Sequence, residues 1–381
     1  MLFSFPRKAF FLYGLPKAGK TTLTKSLVNF LSSYIKISGF YTEEIKENGV
    51  RKGFNLKIFT DSIDNVKILP LALKEPVKKR EKSKPRVGKY SVFLENLEEA
   101  LSFLENLKIK PDLWIIDEIG KMEIMSKRFC EFIERILSQN EPLFATLGVA
   151  KQGFLKKVWS FKKAVFWEIT KENRGFLKRK IFLEFVRKGK LIVVEGIDGA
   201  GKTTFCEALY KRLLDMGKKV VLSHEPTNGP YGKKIKEMLL QRNLNGKELL
   251  KYFYLDRKWH VENIILPALE EGKVVLLDRY YLSTVAYQGA QGEDPEEILR
   301  ENEKIAILPD LVIFLDIEPE LALERVSKRG VKSYFEKVEF LQKVKALYYK
   351  YLPYFSHIKI SGTAPLENST SLVIEKIKKF L

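Results

Sequence analysis

The stretch "GIDGAGKTT", Gly196–Thr204, lies near the middle of a 381-residue chain, and "GLPKAGKTT", Gly14–Thr22, has already appeared near its start. Each reads Gly-x4-Gly-Lys-Thr, follows an apolar run ("FFLY" or "LIVVE") and precedes a stretch of helical period. In that setting backbone N–H groups turn onto phosphate, the helix N-terminus adds positive potential, the lysine adds a charge, and the threonine hydroxyl can ligate Mg²⁺. The residues expected to cradle a nucleoside triphosphate, ATP above all, are Gly14, Leu15, Pro16, Lys17, Ala18, Gly19, Lys20 and Thr21 in the first loop. In the second they are Gly196, Ile197, Asp198, Gly199, Ala200, Gly201, Lys202, Thr203 and Thr204. Two cradles in one chain imply two nucleotide-binding units.

The rest of the sequence agrees. From Ala9 to Phe185, short apolar runs ("AFFLY", "DLWIID", "PLFATLGV", "AVFWEI") alternate with helical stretches, and "GFYTEEIKENGVRKGFNLKIF" reads as a hairpin. The alternation restarts at "LIVVEG" and continues through "KVVLS", "KVVLLD", "LVIFLD" and "IKIS". Strands alternating with helices argue an α/β fold, here two P-loop NTPase domains over 1–187 and 188–381, each a mainly parallel sheet flanked by helices. The Pro- and Lys-rich stretch Lys74–Lys89 lacks periodicity and is expected to be an exposed loop.

Composition limits the partners. Hydrophobic residues at 45% and charged residues at 30% describe a globular chain with cores to bury. A net charge of +19 favours anionic ligands, but the Lys and Arg residues are interspersed with Glu rather than gathered in a tail. Phosphate-bearing small molecules are therefore the expected partners, and nucleic acid is not. Cys130 and Cys206 are isolated, so neither a disulfide framework nor a zinc site is expected, and a reducing, cytoplasmic setting follows. No run of about 18 apolar residues exists to cross a membrane. The apolar opening runs straight into the first loop and reads as a buried strand rather than a signal peptide.

In the first unit, "PDLWIIDEIGKME" ends a strand in Asp117, whose carboxylate can hold Mg²⁺ with Thr21, and Glu118 follows at once. A carboxylate beside the metal-binding Asp is placed to orient or deprotonate a water for attack on the γ-phosphate. Together with "GFYTEEIKENGVRKGF", "RVGKY", "IIDEIGKMEIMSKRF" and "KENRGFL", this unit resembles the THEP-type nucleoside-triphosphatase family over nearly its whole length. The resemblance implies Mg²⁺-dependent hydrolysis of nucleoside triphosphates to diphosphate and phosphate. It makes Glu118 the catalytic carboxylate, with Lys121 and Arg174 as further candidates to touch the γ-phosphate. The family loop usually has Gly where this chain has Lys17, so that position is expected to add a phosphate contact or to strain the loop.

The second unit differs at one telling place. "KVVLLDRYYLSTVAYQG" ends its strand in Asp278, expected to hold Mg²⁺ with Thr203, but Arg279 follows where the first unit has Glu. A guanidinium grips a second phosphate bidentately, which suits transfer rather than hydrolysis. Arg325, Lys328, Arg329 and Lys332 in "ERVSKRGVKSYFEK" are expected to form a basic lid over the donor.

With "VEGIDGAGKTT", "HEPTNGPYG", "FYLDRKWHVENIILPAL" and "LVIFLDIEPELALERVSKRG", this unit is similar to thymidylate kinases. The similarity implies ATP and dTMP as substrates and a homodimer through this unit. It gives Asp198 a contact to the sugar 3′-hydroxyl, Phe253 a stack on thymine and Arg257 a hydrogen bond to the base edge. Arg279 holds the acceptor phosphate and Tyr287 excludes a 2′-hydroxyl, while Lys202 and Arg329 act on the transferring group. Gly199, His224 and Ser333-Tyr334 depart from residues common in that family. Two rival readings stay open: a regulatory nucleotide- or RNA-binding role for the first unit, and a different deoxynucleotide or nucleoside acceptor for the second.

Overall fold

Runs such as Ala9–Tyr13 (AFFLY) and Leu311–Asp316 (LVIFLD) are too short for helices and have no polar face, which suits strands covered by helices on both sides. A computed structural model describes residues 9–60, 62–74, 85–240, 246–328, 337–378 and 381, with the backbone alone for 62–66. The chain divides into two compact units, Arg7–Val186 and Arg187–Leu381.

Among its described residues the first unit holds nine strands: β1 (Ala9–Tyr13), β2 (Ile37–Glu47), β3 (Val50–Thr60), β4 (Ser62–Leu73), β5 (Arg86–Val87), β6 (Tyr90–Val92), β7 (Leu113–Ile119), β8 (Leu143–Leu147) and β9 (Ala164–Glu168). They form one sheet in the order β5-β6-β4-β3-β2-β7-β8-β1-β9. The strands β2, β7, β8, β1 and β9 are parallel. On the β2 side the sheet continues as an antiparallel wing of β3, β4, β6 and β5. The expected hairpin is β2–β3.

Strand β4 was not legible in the sequence, because Asp, Asn and Pro70 interrupt its pattern. Pro70 is accommodated where the register with β3 shifts, opposite Asn55, and prolines within sheets are found at such irregularities. Of the expected loop Lys74–Lys89, residues 75–84 lie outside the described residues, and its end is instead the strand β5, turning through Gly88 at φ 58° into β6.

The second unit holds β10 (Lys190–Glu195), β11 (Val220–His224), β12 (Val274–Asp278), β13 (Leu311–Asp316) and β14 (His357–Ser361), all parallel in the order β11-β12-β10-β13-β14. Both sheets bury apolar cores, with Phe11, Ile116 and Phe129 in the first unit and Ile192, Leu276 and Ile313 in the second fully enclosed. The topologies separate at one point. In the first unit β8 stands between β1 and β7, so Asp117 is two strands from the loop-bearing strand. In the second, β12 pairs directly with β10, and Asp278 lies next to it.

Candidate functional sites

Each phosphate loop leaves the carboxyl end of a central strand and enters a helix, Lys20–Leu31 or Lys202–Asp215. Nothing larger than glycine fits at the start of either loop. A Cβ on Gly14 would stand 2.4 Å from the Ile169 carbonyl oxygen, and one on Gly196 2.7 Å from that of Leu315. The lysines fold back onto their own loops: Lys20 Nζ donates to Gly14 O at 2.8 Å and Lys202 Nζ to Ile197 O at 2.8 Å. Burial, reinforced by the nearby Arg279 guanidinium, pushes the Lys202 ammonium down to about 8. Lys17 sits exposed at the tip of the first loop with a left-handed φ of 68°. The strain foreseen there is thus present in the backbone.

In the first unit Asp117 is buried, and the Thr146 hydroxyl on β8 donates to its Oδ1 at 2.9 Å. Its Oδ2 is buried without a hydrogen-bond partner. Burial raises its carboxyl above the usual range, opposed by the hydroxyls of Thr21 and Thr146 and by Lys20. Glu118 follows with φ 92°. This unusual backbone for a non-glycine residue turns the side chain to a cavity of about 400 Å³ that Gly14, Lys20 and Thr146 also line. The enclosing cleft and the Asp117 carboxylate raise the Glu118 carboxyl. Lys121 lines the same cavity; Arg174 does not, standing exposed at the start of helix Arg174–Phe185.

Sequence reasoning missed Glu123, which also lines that cavity. It is buried, accepts the Gly120 N–H at 3.1 Å, and is raised well above the usual carboxyl range by burial and by Glu118. Its carboxyl group fixes the turn that follows Glu118. A Glu in the first turn after the strand-end Asp117 was the signal available in "DEIGKME".

In the second unit Thr203 Oγ1 donates to Asp278 Oδ2 at 2.6 Å, and Asp278 Oδ1 is buried without a partner. Arg279 has φ 69°, repeating the backbone of Glu118. Its guanidinium pairs with Asp198, donates to Ser283 Oγ at 3.1 Å and lies 5.2 Å from the Tyr287 ring centre. The Tyr287 hydroxyl accepts the Asp198 N–H at 2.9 Å, so loop, Arg279 and Tyr287 form one connected wall. Burial alone would raise the Asp198 carboxyl, but Arg279 and Lys202 outweigh it and hold it below the usual range.

Glu195, just before the loop, was also missed. Fully buried, it accepts the N–H groups of Tyr280 (3.0 Å) and Ser283 (3.2 Å) and the hydroxyls of Ser283 (2.6 Å) and Tyr348 (3.0 Å). One carboxylate thereby orders the turn that presents Arg279. A charge in the otherwise apolar "LIVVE" needs partners, and that was its signal.

Arg257 is fully buried, and its guanidinium is engaged by Glu225, by Asn302 and by Thr284 Oγ1 at 3.0 Å. Glu225 also meets His260 Nδ1 at 3.0 Å, and His260 Nε2 lies 2.8 Å from Ser223 Oγ. Asp256 holds the following loop, accepting the Thr227 N–H at 2.8 Å and hydroxyl at 2.6 Å. Phe253 is half-buried against the helix Pro230–Leu240. The loop residues Gly199, Ala200, Gly201 and Thr204 share a cavity of about 250 Å³ with Arg325, which donates to Gly362 O at 2.8 Å. Lys328 is exposed and paired with Glu324; Arg329, Lys332 and Ser333-Tyr334 lie outside the described residues.

Comparison with known proteins fits this geometry. The family model described as Thymidylate kinase matches residues 194–372. A probable thymidylate kinase of Archaeoglobus fulgidus is 44% identical over 191 residues, covering 50% of this chain and 96% of that protein. The chain belongs to the thymidylate kinase family. The thymidylate kinase of Desulfotalea psychrophila is 45% identical over 197 residues, 51% of this chain and 96% of its own length, and that of Akkermansia muciniphila 49% over 150 residues, 39% and 73%. The kinase relationship accounts for the second unit, and the family model described as NTPase matches residues 9–182 of the first. The chain thus joins a THEP-type NTPase-family domain to a thymidylate kinase domain, both P-loop folds. Among the described residues no helix is long and apolar enough to cross a membrane.

Proposed function

We propose that the chain, as units 1–187 and 188–381, is a bifunctional cytoplasmic nucleotide enzyme. The second unit transfers the γ-phosphoryl group of ATP to dTMP, giving dTDP, and the first hydrolyses nucleoside triphosphates to diphosphate and phosphate. The observation that carries this reading is the pair of left-handed residues after the two strand-end aspartates, Glu118 and Arg279. One turns a carboxylate toward the γ end of its loop; the other turns a guanidinium there, locked to Asp198.

The orphaned oxygens of Asp117 and Asp278, each near its loop threonine, fit Mg²⁺ in both units. Thr21 and Asp117 would hold it in the first unit and Thr203 and Asp278 in the second. When bound, the ion neutralises charge on the β- and γ-phosphates. Lys202 leaves Ile197 O to meet the phosphates, and Arg279 fixes the acceptor phosphate while Asp198, held ionised, receives the sugar hydroxyl. Phe253 and Tyr287 would supply the aromatic surfaces for base and sugar, and Arg257, whose guanidinium is held by Glu225, Asn302 and Thr284, would hydrogen-bond the base edge. In the first unit Glu118 orients and deprotonates a water, and Lys20 steadies the phosphate it attacks.

The test is a panel of deoxynucleoside monophosphates and nucleosides assayed with ATP on the full chain, beside phosphate release from several triphosphates. dTMP is expected to be the preferred acceptor, and preference for any other acceptor overturns the kinase assignment. Absence of phosphate release, with RNA retained in a salt-dependent way, would favour a binding role for the first unit.

A further inference from the structure

The cavity beside Lys20 and Glu118 is far larger than the single water a hydrolase needs to place. It measures about 400 Å³, against ~30 Å³ for one water in the liquid, and falls within the ~300–1,000 Å³ of small-molecule sites. It begins at the γ end of the loop. Gly14, Pro16 and Lys20 line it, whereas Ala18, Gly19, Thr21 and Thr22, which face the inner phosphates and the metal, are not among the described lining residues.

Much of its lining is apolar. Phe54, Leu71 and Val87 come from β3, β4 and β5 of the antiparallel wing, and Met122, Val149 and Leu155 from the segments after β7 and β8. Thr42, Lys121 and Glu123 add polar groups to the lining. The loop, Asp117 and Glu118 all stand on the parallel strands, so the cradle and its carboxylates take no residue from β3, β4 or β5. What the wing adds to the site is an apolar enclosure facing the point of attack.

We infer that this enclosure is an acceptor subsite, in which a small alcohol with an aromatic or aliphatic body takes the phosphoryl group in competition with water. The inference rests on the hydrolytic reading of the first unit. The acceptor hydroxyl gives its proton to the Glu118 carboxylate, and its oxygen bonds to the γ-phosphorus. The bond from that phosphorus to the β–γ bridging oxygen breaks, and the nucleoside diphosphate leaves with the electron pair. The products are a phosphate monoester and the diphosphate, and Glu118 returns its proton to solvent.

The experiment uses the full chain carrying Lys202→Ala, which silences the second unit, with ATP labelled in the γ-phosphate and either 2-phenylethanol or 1-hexanol. Label is expected in the phosphate monoester, saturating with alcohol and exceeding the share set by the alcohol-to-water ratio. Val87→Glu, which puts a charge in the wall, should lower the ester-to-phosphate ratio roughly tenfold, and the milder Phe54→Leu should lower it less. Phosphate release with no ester above that share, from either alcohol, overturns the subsite and leaves hydrolysis standing. A ratio indifferent to both wall variants also overturns it. No turnover of labelled ATP overturns the hydrolytic reading and the subsite together.

Discussion

The Arg279 guanidinium is paired with the Asp198 carboxylate, tying the residue after a strand-end aspartate to the middle of the phosphate loop. The pair holds the guanidinium beside the loop before any acceptor arrives. Removing one preorganised cationic contact to a transferring or accepting phosphate costs about 10²–10³ in rate. Arg279→Ala is therefore expected to lower dTDP formation by about that factor, and Lys202→Ala by at least as much. Both should leave phosphate release by the first unit unchanged, as measured by dTDP and inorganic phosphate in parallel assays. Loss of both activities together would sink the assignment of separate sites.

Glu118 provides the converse. Glu118→Gln keeps the shape and the left-handed turn but cannot accept a proton, and removing a general base costs about 10²–10⁴. Triphosphate hydrolysis should fall by that much with dTDP formation intact. Phosphate release at the original rate would remove Glu118 as the base.

The loops, the strand-end aspartates and the Glu118/Arg279 contrast were legible because each is a local word, written in residue type and spacing within one short stretch. Glu195 and the Glu225–His260 contact were not, because their partners are supplied by other segments; Glu123 bonds locally to Gly120, and only its burial depends on the packed fold. Glu195 meets Tyr348 across 153 residues. The same reason hid β4, whose strand character comes from pairing with β3 around a bulge rather than from its own pattern. Arg257 was expected at the base edge, and its burial against Glu225 and Asn302 became visible only once the segments carrying them were packed.

Glu225 makes acid stability of the kinase unit a test of that packing. Burial alone would raise its carboxyl, but Arg257 and His260 outweigh it and hold it below the ordinary 4.5. A depressed carboxyl contributes stability that is present above its unfolded value and lost as pH falls through its folded one. The contribution should therefore be full at neutral pH and fade below about pH 4.5. Glu225→Gln leaves Arg257 without its buried counter-charge, expected to cost about 3–5 kcal/mol at pH 7. In denaturant unfolding of the kinase unit, the gap in stability between the unaltered protein and Glu225→Gln should narrow as pH drops below 4.5. A gap independent of pH would show that Glu225 is not the charged partner.

The fourth position of the two loops offers a last comparison, since Lys17 and Gly199 are equivalent and both have left-handed backbones, at φ 68° and 84°. Lys17 projects into solvent, so its cost is backbone strain alone, on the order of 1 kcal/mol. A Cβ on Gly199 would stand 2.2 Å from the Ala322 carbonyl oxygen, in the backbone of helix Pro319–Ser327. Neither atom can move aside cheaply. Lys17→Gly is expected to change the stability of the first unit by no more than about 1 kcal/mol and to keep its hydrolysis. Gly199→Ala should displace the second loop from that helix and cut ATP binding by the kinase unit at least tenfold, read as KM for ATP with dTMP saturating. If Gly199→Ala bound ATP normally, the close approach of loop and helix would not be what reserves that place for glycine.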